Sequence, residues 1–541
     1  MITEHYKDFI RDTASIAGLD VSKSLKVSRN GSLLAAFDTD KDLLEYMLTV
    51  KKSASTTHSE YVFKTKPYDH QRVGFELSKD KEFFALLMEM QTGKSKVAID
   101  TAGYLFQTGS ITGVLVVAPN GVHRKWVNDE VASHLPDDIP VDTVYWKKSQ
   151  SKSFLQGLNY VSVPDPGKLK ILSMNFEALT TDKGFSIAER FVQQHQVLFI
   201  VDEGHFIKNP QAKRTKAVMK LGKKSDYRRL LTGTPVTQSP LDVWSQFQFL
   251  SPDILGCPSY HAFKAVYANM QRKQVNKDRF VNVIIGYKNL ERLSEKIKPY
   301  SYRVLKKDCL DLPPQTYRTE VVELSKDQKR LYSQLSSELI AELDGEFMTA
   351  EIALVKYLRL QQIIGGFWKP DDSDPCAVPG PNPKLQRLLH ILDEIDPSSG
   401  VIIWSRFTAE IKMITQELEK IYGTESVVTY FGGVSSEEKQ NAVSRFQSGE
   451  SRFFVGNQRA GGIGLTLHKA SYMIYFSNDF SMSVREQADA RFYGIGQTKN
   501  TAYIELIARD TLDEVVLDAL KNKKEIADLV TQDHKALLRK T

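Results

Sequence analysis

The sequence predicts an α/β protein made of two similar parallel-sheet lobes with helical insertions and a helical end. Three observations predict it. Short continuous apolar runs occur in two separate batches, a helical stretch lies between the batches, and polar or glycine-rich signatures follow the runs where parallel sheets bind ligands. The chain's 541 residues exceed what one hydrophobic core organises. Its hydrophobic fraction of 41% and charged fraction of 26% are those of a globular protein. No run of about 18 apolar residues appears, and the opening "MITEHYKDFIRD" lacks a basic segment followed by an apolar one, so neither secretion nor a membrane span is expected. Cys257, Cys309 and Cys376 are too few and too scattered for a disulfide framework or a cysteine-based zinc site, which fits a reducing compartment. The net charge of +6 permits a nucleic-acid partner without demanding one.

In chain order, residues 1–60 form a small unit with no readable motif. An apolar run then ends in "LLMEMQTGKSKVAID" (86–100), and three of the first batch's four runs are "GVLVVAP" (113–119), "LKILSM" (169–174) and "QVLFIVD" (196–202). The fourth, "RRLLTGT" (228–234), closes the batch; each run suits a strand buried on both faces. In "ELSKDQKRLYSQLSSELIAEL", Ser325 followed by Gln328 is a capping-box signature that opens a helix. The segment 369–383 carries five prolines and is expected to be an irregular loop. The second batch is "GVIIWS" (400–405), "SVVTYFG" (426–432), "RFFVGN" (452–457), "YMIYFS" (472–477) and "TAYIELIA" (501–508). Within it, Ser435 and Glu438 repeat the capping box and place Ala442, Val443 and Phe446 on one helix face. From Asp510 the tail is helical and ends in lysines and arginines, a solvated face as readily as a binding one.

The chemistry starts at Gly93-Lys94-Ser95. The full phosphate-loop pattern wants glycine where Met88 stands, and the triplet alone is expected by chance in roughly one chain of this length in four. Asp202-Glu203 lifts it above chance: an acidic pair at the carboxyl end of a buried strand can hold Mg²⁺ through Asp202 and orient or deprotonate an attacking water through Glu203. Lys94 would then meet the β- and γ-phosphates, and the Ser95 hydroxyl would join the metal shell. The backbone N–H groups of Thr92 and Gly93, at a helix start, would supply the anion cradle. A surface acidic pair after a core strand is the plain alternative.

Further signatures stand in order: "KPYDHQ", "MEMQTGKS", "VVAPNGVHRKWVNDE", "DEGHFIKN", "LTGTPVTQSPLDVWSQFQFL", "YRVLKKDCLDLPP", "RAGGIGLTL" and "QADARFYGIGQ". From Pro67 to about Ala527 the chain resembles the SWI/SNF-type helicase-like ATPases of helicase superfamily two, and "TLDEVVLDALKNKKEIADLV" resembles the family's helical brace. The resemblance implies two RecA-like lobes: residues 61–310 as the ATP-binding lobe with a helical insertion, 311–525 as the second lobe with a helical insertion near 325–383, and 526–541 as a helical tail. It implies ATP and Mg²⁺ as cofactors, with Gln71 reading adenine and Gln91, Thr92, Gly93, Lys94 and Ser95 around the phosphates. Asn120, Arg124, Lys125, Asn175, Arg459 and Thr466 become the candidates for gripping nucleic acid, and Arg491 for the arginine finger.

Four positions depart from the family's pattern. Gln91 stands in place of a glycine that would permit positive φ, Gly204 in place of alanine, Ala490 in place of aspartate and Gly494 in place of the second arginine of the sixth motif. With Gly494, Arg491 and nearby Arg485 are the arginines left for γ-phosphate charge. The expected function is a DNA-stimulated ATPase that translocates on duplex or branched DNA and remodels DNA or protein–DNA complexes, with residues 1–60 available to a protein partner. A nucleic-acid clamp with little turnover and an RNA-directed helicase are the alternatives. The expected setting is cytoplasmic, in a bacterial or virus-infected cell rather than a nucleus.

Overall fold

The computed structural model describes residues 61–149, 151–276, 279–344, 350–368, 374–459, 467–494 and 496–531. Residues 1–60, the basic end of the tail and Thr466 lie outside the described residues. By their contacts the described residues form two compact units.

The first unit comprises residues 61–233, 244–256 and 296–309. Its strands are β1 (Phe83–Met88), β2 (Gly113–Ala118), β3 (Val141–Tyr145), β4 (Leu169–Asn175), β5 (Val197–Asp202) and β6 (Tyr227–Leu231). After the hairpin strands β7 (Ala268–Asn276) and β8 (Arg279–Tyr287) comes β9 (Ser301–Val304), which completes a seven-stranded sheet in the order β3-β4-β2-β5-β6-β1-β9. Every pairing in it is parallel. Strands β2 and β5 are buried at every position, which is why they read as unbroken apolar runs. The edge strands β3 and β9 are only half-buried and carry polar residues, so no such run announced them. Arg229 on β6 is fully buried, and its guanidinium donates to the carbonyls of Ser78, Lys81, Glu82 and Arg228, closing the turn ahead of β1. Burial pushes its pKa down to about 9.

The second unit comprises residues 234–243, 257–295 and 310–531, so two stretches inside the span expected for the first lobe have their contacts here. Its sheet holds β10 (Gln315–Val322) and, after the short pair β11 (Phe367–Trp368) and β12 (Cys376–Ala377), β13 (Gly400–Ser405), β14 (Val427–Tyr430), β15 (Phe453–Asn457), β16 (Ala470–Tyr475) and β17 (Thr501–Ala508). The order is β10-β17-β16-β13-β15-β14, again parallel throughout. Alternation along β13 serves both faces. Val401 and Ile403 pack with Leu388, Ile411 and Ile414 of the helices Pro383–Glu394 and Thr408–Tyr422. Ile402 and Trp404 pack with Phe446 and Phe492 of the helices Ser436–Ser448 and Met482–Phe492.

Both expected capping boxes form. Ser325 and Gln328 exchange bonds of 3.1 and 3.3 Å ahead of the helix Lys326–Asp344, and Ser435 and Glu438 exchange bonds of 2.9 and 3.2 Å. Ala442 and Phe446 are buried and Val443 packs partly against the same cluster, as the spacing required. The proline-rich segment corrects one expectation: it is not wholly irregular, because Cys376–Ala377 pairs antiparallel with Phe367–Trp368. Its last proline, Pro383, opens a helix at the position where a missing N–H costs nothing. The tail is helical over Leu512–Thr531, with Val516 and Leu520 in a core cluster.

Candidate functional site

The loop from β1 to the helix Lys94–Gln107 is folded by its own side chains. Thr92 Oγ1 donates to the Glu89 carbonyl at 2.7 Å, and Lys94 Nζ donates to the carbonyls of Met88 and Glu89 at 2.9 and 3.2 Å. Gly93 caps the helix with φ of 88°, and a Cβ there would lie 2.2 Å from Gln71 Nε2, so backbone and space both require glycine. Gln71 and His70 donate to the Thr92 carbonyl at 3.1 and 2.8 Å. Tyr68 N in turn donates to Gln71 Oε1 at 3.1 Å, so both ends of the Gln71 amide are engaged in bracing the loop. Gln91 adopts φ of 64°, the left-handed conformation that glycine takes without strain, and its buried Oε1 has no hydrogen-bond partner among the described residues. The loop is thus held in shape at a position where this side chain is strained.

Asp202 and Glu203 stand at the end of β5, in the same parallel sheet and at the same edge as the β1 loop. Between them runs β6, and Thr232 N just past its end donates to Leu86 O at 3.1 Å. Gly233 follows, where a Cβ would lie 3.3 Å from Met88 O, an approach that the backbone of the β1 loop leaves little room to relieve. Trp126 Nε1 donates to Asp202 Oδ2 at 2.9 Å, and Glu203 N donates to Oδ1 at 2.9 Å, so each carboxylate oxygen is fixed by one donor. Trp126 is 1% exposed and opens a π-helical turn, Trp126–Glu130, a local geometry often found at functional sites. Glu203 has φ of 56°, a second strained backbone position. Its Oε2 lies 3.4 Å from His205 Nδ1, within ion-pair reach, yet the alignment makes no hydrogen bond.

Burial pushes the Asp202 carboxyl above its usual range and the Glu203 charge adds to the rise, with Trp126 and Lys94 opposing both. Burial acts to raise Glu203 as well, but His205 and Lys94 outweigh it and hold that group below the ordinary carboxylate range. Lys94 is therefore close enough to act on both carboxyls. At Gly204 a Cβ would meet Leu230 Cδ1 at 2.6 Å, so the departure from alanine makes room for that leucine.

The donor set fits Mg²⁺. Asp202 keeps a free lone pair on each oxygen, and Ser95, the second residue of its helix, is half-buried and carries a hydroxyl of the kind that joins such a shell. The described residues hold no cluster of three or more His, Cys, Asp or Glu that could cage an ion; Mg²⁺, which binds through one or two protein groups plus phosphate oxygens, needs none.

The second unit treats its arginines differently from one another. Arg485, its side chain 11% exposed, donates to Asn478 Oδ1 at 2.9 Å, pairs with Glu505 and Asp489, and lies over the Tyr475 ring. It is committed to holding its helix on the sheet. Arg491 is 5% exposed, and burial pushes its pKa down to about 10, with Tyr430 and Tyr475 acting the other way. Arg459 forms a two-bond pair with Asp479 at 2.6 and 3.0 Å, leaving its side chain 62% exposed. In the first unit Asn120 and Arg124 are exposed, Lys125 is half-buried, and the Asn175 side chain accepts from Ala178 N at 3.2 Å.

Sequence reasoning missed two residues that organise these loops. Trp126 was part of a quoted motif, but nothing in its spacing tells that the indole reaches a carboxylate 76 positions away. Asp242 Oδ2 accepts from Thr237 N, Thr237 Oγ1 and Gln238 N at 3.0, 2.9 and 2.7 Å, which shapes the turn after Thr234-Pro235.

Residues 43–365 match the SNF2-related domain, and residues 383–496 match the helicase conserved C-terminal domain. An uncharacterized ATP-dependent helicase of Mycoplasma genitalium, MG018, is 26% identical over 457 residues, covering 83% of this chain and 40% of its own. The human SWI/SNF-related matrix-associated actin-dependent regulator of chromatin subfamily A member 1 is 26% identical over 459 residues, covering 82% and 41%. The chain thus spans about half or less of the length of the curated relatives it matches. The SWI2/SNF2 ATPase core of Sulfolobus solfataricus, solved with double-stranded DNA, is 24% identical and covers 88% of this chain and 96% of its own, with a TM-score of 0.39, at which the likeness adds nothing to the assignment. The SNF2-related match alone covers more than half of the 541 residues, and the chain belongs to the SNF2-related family of helicase-like ATPases.

Proposed function

We propose that the protein is an ATPase stimulated by DNA, which uses hydrolysis to translocate on duplex or branched DNA and to remodel DNA or protein–DNA complexes. The observation that carries the reading is the pairing, at one sheet edge, of a glycine-capped loop bearing Lys94 with a buried Asp202-Glu203 pair whose Glu203 Oε2 lacks a hydrogen-bond partner among the described residues. The family membership and the relatives' names support ATP and DNA as the substrates.

In this reading the backbone N–H groups at the start of the helix Lys94–Gln107 hold the phosphates, and Lys94 exchanges the carbonyls of Met88 and Glu89 for phosphate oxygens. Mg²⁺, which would be held by Asp202 and Ser95, supplies neutralisation of phosphate charge. Glu203, kept ionised by His205 and Lys94, accepts the proton of the attacking water. Trp126 keeps the Asp202 carboxylate aimed. Gln71 acts on adenine only after giving up its bond to Thr92, so we assign it first to loop bracing. Arg491 is the remaining candidate for the arginine that neutralises γ-phosphate charge. Asn120, Arg124, Lys125, Asn175, Arg459 and Thr466 stay the proposed nucleic-acid contacts; binding through phosphates makes it salt-dependent and indifferent to sequence.

The test is steady-state ATP hydrolysis with duplex DNA, branched DNA, single-stranded DNA and RNA, with Glu203→Gln as the blank. Stimulation by duplex or branched DNA supports the reading. Stimulation by RNA alone assigns the protein to RNA, and tight ATP and DNA binding without turnover assigns it to the clamps.

A further inference from the structure

The antiparallel hairpin β7–β8 takes no part in either parallel sheet; among the described residues its strands pair only with each other. Met270 stands opposite Ile284, Arg272 opposite Asn282 and Gln274 opposite Phe280, so these six share one face of the ribbon. On that face Met270, Phe280 and Ile284 are 38%, 47% and 38% exposed, and the Arg272 guanidinium lies 4.2 Å from the centre of the Phe280 ring. The register skips a residue between the pairs Asn269–Gly286 and Met270–Ile284, and the bulged residue, Ile285, is 63% exposed. Val281 and Val283, on the opposite face, are half-buried. The ribbon therefore has an inner face and an outer one, and the outer one shows water a cluster of large apolar side chains of the kind that marks a binding surface.

The composition says what binds there. Neither strand contains an aspartate or glutamate, whereas the outer face carries the cation Arg272 and the side-chain amides of Gln274 and Asn282. Cations suit phosphates, side-chain amides suit base and sugar edges, and exposed apolar side chains suit the thymine methyls that line a major groove. A two-stranded ribbon also has the width that the major groove of a duplex admits. Such a face is poorly suited to a purely apolar partner, which would leave its amides without bonds.

We propose that the outer face of β7–β8 is a nucleic-acid contact surface that lies against duplex DNA, with Arg272 at the backbone and Phe280 and Ile285 against bases. The proposal rests on the translocase reading for its choice of polymer and adds a contact surface that the motifs do not include.

The test compares wild type with Arg272→Ala and with the double variant Phe280→Ala/Ile285→Ala, all with native melting curves. It measures the Kd for a fluorescein-labelled duplex across a salt series, and ATP hydrolysis without DNA. Arg272→Ala should raise Kd several-fold and lower the slope of log Kd against log salt by about 1, as loss of one phosphate contact does. The apolar double variant should raise Kd several-fold at every salt concentration with the slope unchanged. DNA-free hydrolysis should not change in either. Unchanged Kd and slope in both variants, beside a wild type that binds duplex, would overturn the hairpin proposal and leave the translocase reading standing. If the variants instead abolish a wild-type dimer while Kd stays constant, the face belongs to a second copy of the chain and the proposal falls. A wild type that binds no DNA overturns the translocase reading and the hairpin proposal together.

Discussion

Replacing Trp126 with phenylalanine removes one N–H and leaves most of the ring, so it isolates the bond to Asp202. In the structure that bond is 2.9 Å long and buried, and Glu203 N is the other donor to the carboxylate. A hydrogen bond to a charged group is worth about 1.5–3 kcal/mol, and each 1.4 kcal/mol is about tenfold in an equilibrium constant. If the indole serves to hold Asp202 in the orientation that binds Mg²⁺, the variant should lose about 10- to 100-fold in Mg²⁺ affinity, the range seen when an outer partner of a metal ligand is removed. The assay is calorimetric ADP binding in a Mg²⁺ series and in EDTA. Wild type should gain affinity with Mg²⁺. Trp126→Phe should need correspondingly more Mg²⁺ for the same gain while matching wild type in EDTA. A loss of packing alone would lower the melting temperature and weaken binding equally in both conditions. An unchanged Mg²⁺ dependence in a folded variant would refute the reasoning.

Other expectations follow from the same geometry. Lys94→Ala should weaken ATP binding, whereas Glu203→Gln should keep it and abolish hydrolysis; equal loss of binding in both would remove the division of roles. Gln91→Gly should stabilise the fold by up to about 1.5 kcal/mol in urea unfolding, since relief of a left-handed conformation, about 1–2 kcal/mol, outweighs glycine's entropic cost, about 0.5–1 kcal/mol. A clear loss of stability would mean that the Gln91 side chain has a supporting role. Gly494→Arg should raise turnover if no arginine reaches the γ-phosphate in wild type, and unchanged kcat would point to Arg491. Glu410 is fully buried: its Oε2 accepts from Ser405 and Ser477, its Oε1 has no hydrogen-bond partner among the described residues, and burial raises its pKa above the ordinary 4.5. Above that value the unfolded chain holds fewer protons at this site than the folded one, so its contribution falls as pH rises toward the folded pKa. Glu410→Gln should therefore match wild type in melting temperature near about pH 4 and exceed it near about pH 8; a constant difference would contradict the raised pKa.

The sequence by itself was enough for whatever is written in neighbouring residues. Continuous apolar runs announced β2, β4, β5 and β6 and most of the second sheet, because strands buried on both faces are dominated by apolar residues. Ser325 with Gln328, and Ser435 with Glu438, announced helix starts because both partners of a capping box lie within one turn. Lys94, Ser95, Asp202 and Glu203 were legible because phosphate and carboxylate chemistry need those side chains beside a helix start or a strand end. Edge strands β3 and β9 were not, since half-exposed strands tolerate polar residues. The hairpin β7–β8 was passed over because its apolar residues are interleaved with amides and cations and form no long continuous run.

Only the tertiary structure decided which partner each side chain finds. Trp126 meets Asp202 across 76 positions, and the bond exists because the π-helical turn after β2 packs beside the end of β5. Arg485 and Arg491 sit on one helix and look interchangeable in the sequence. Yet Arg485 is locked among Glu505, Asp489 and Asn478, while Arg491 is buried near two tyrosines. Gln91 keeps the left-handed backbone that glycine would have taken freely, because Thr92, Lys94, Gln71 and His70 hold the loop on both sides of it. A chain can spell out its local geometry one turn at a time, but contacts between distant residues are set by how whole elements pack, and that packing decided which groups of this site are free to act.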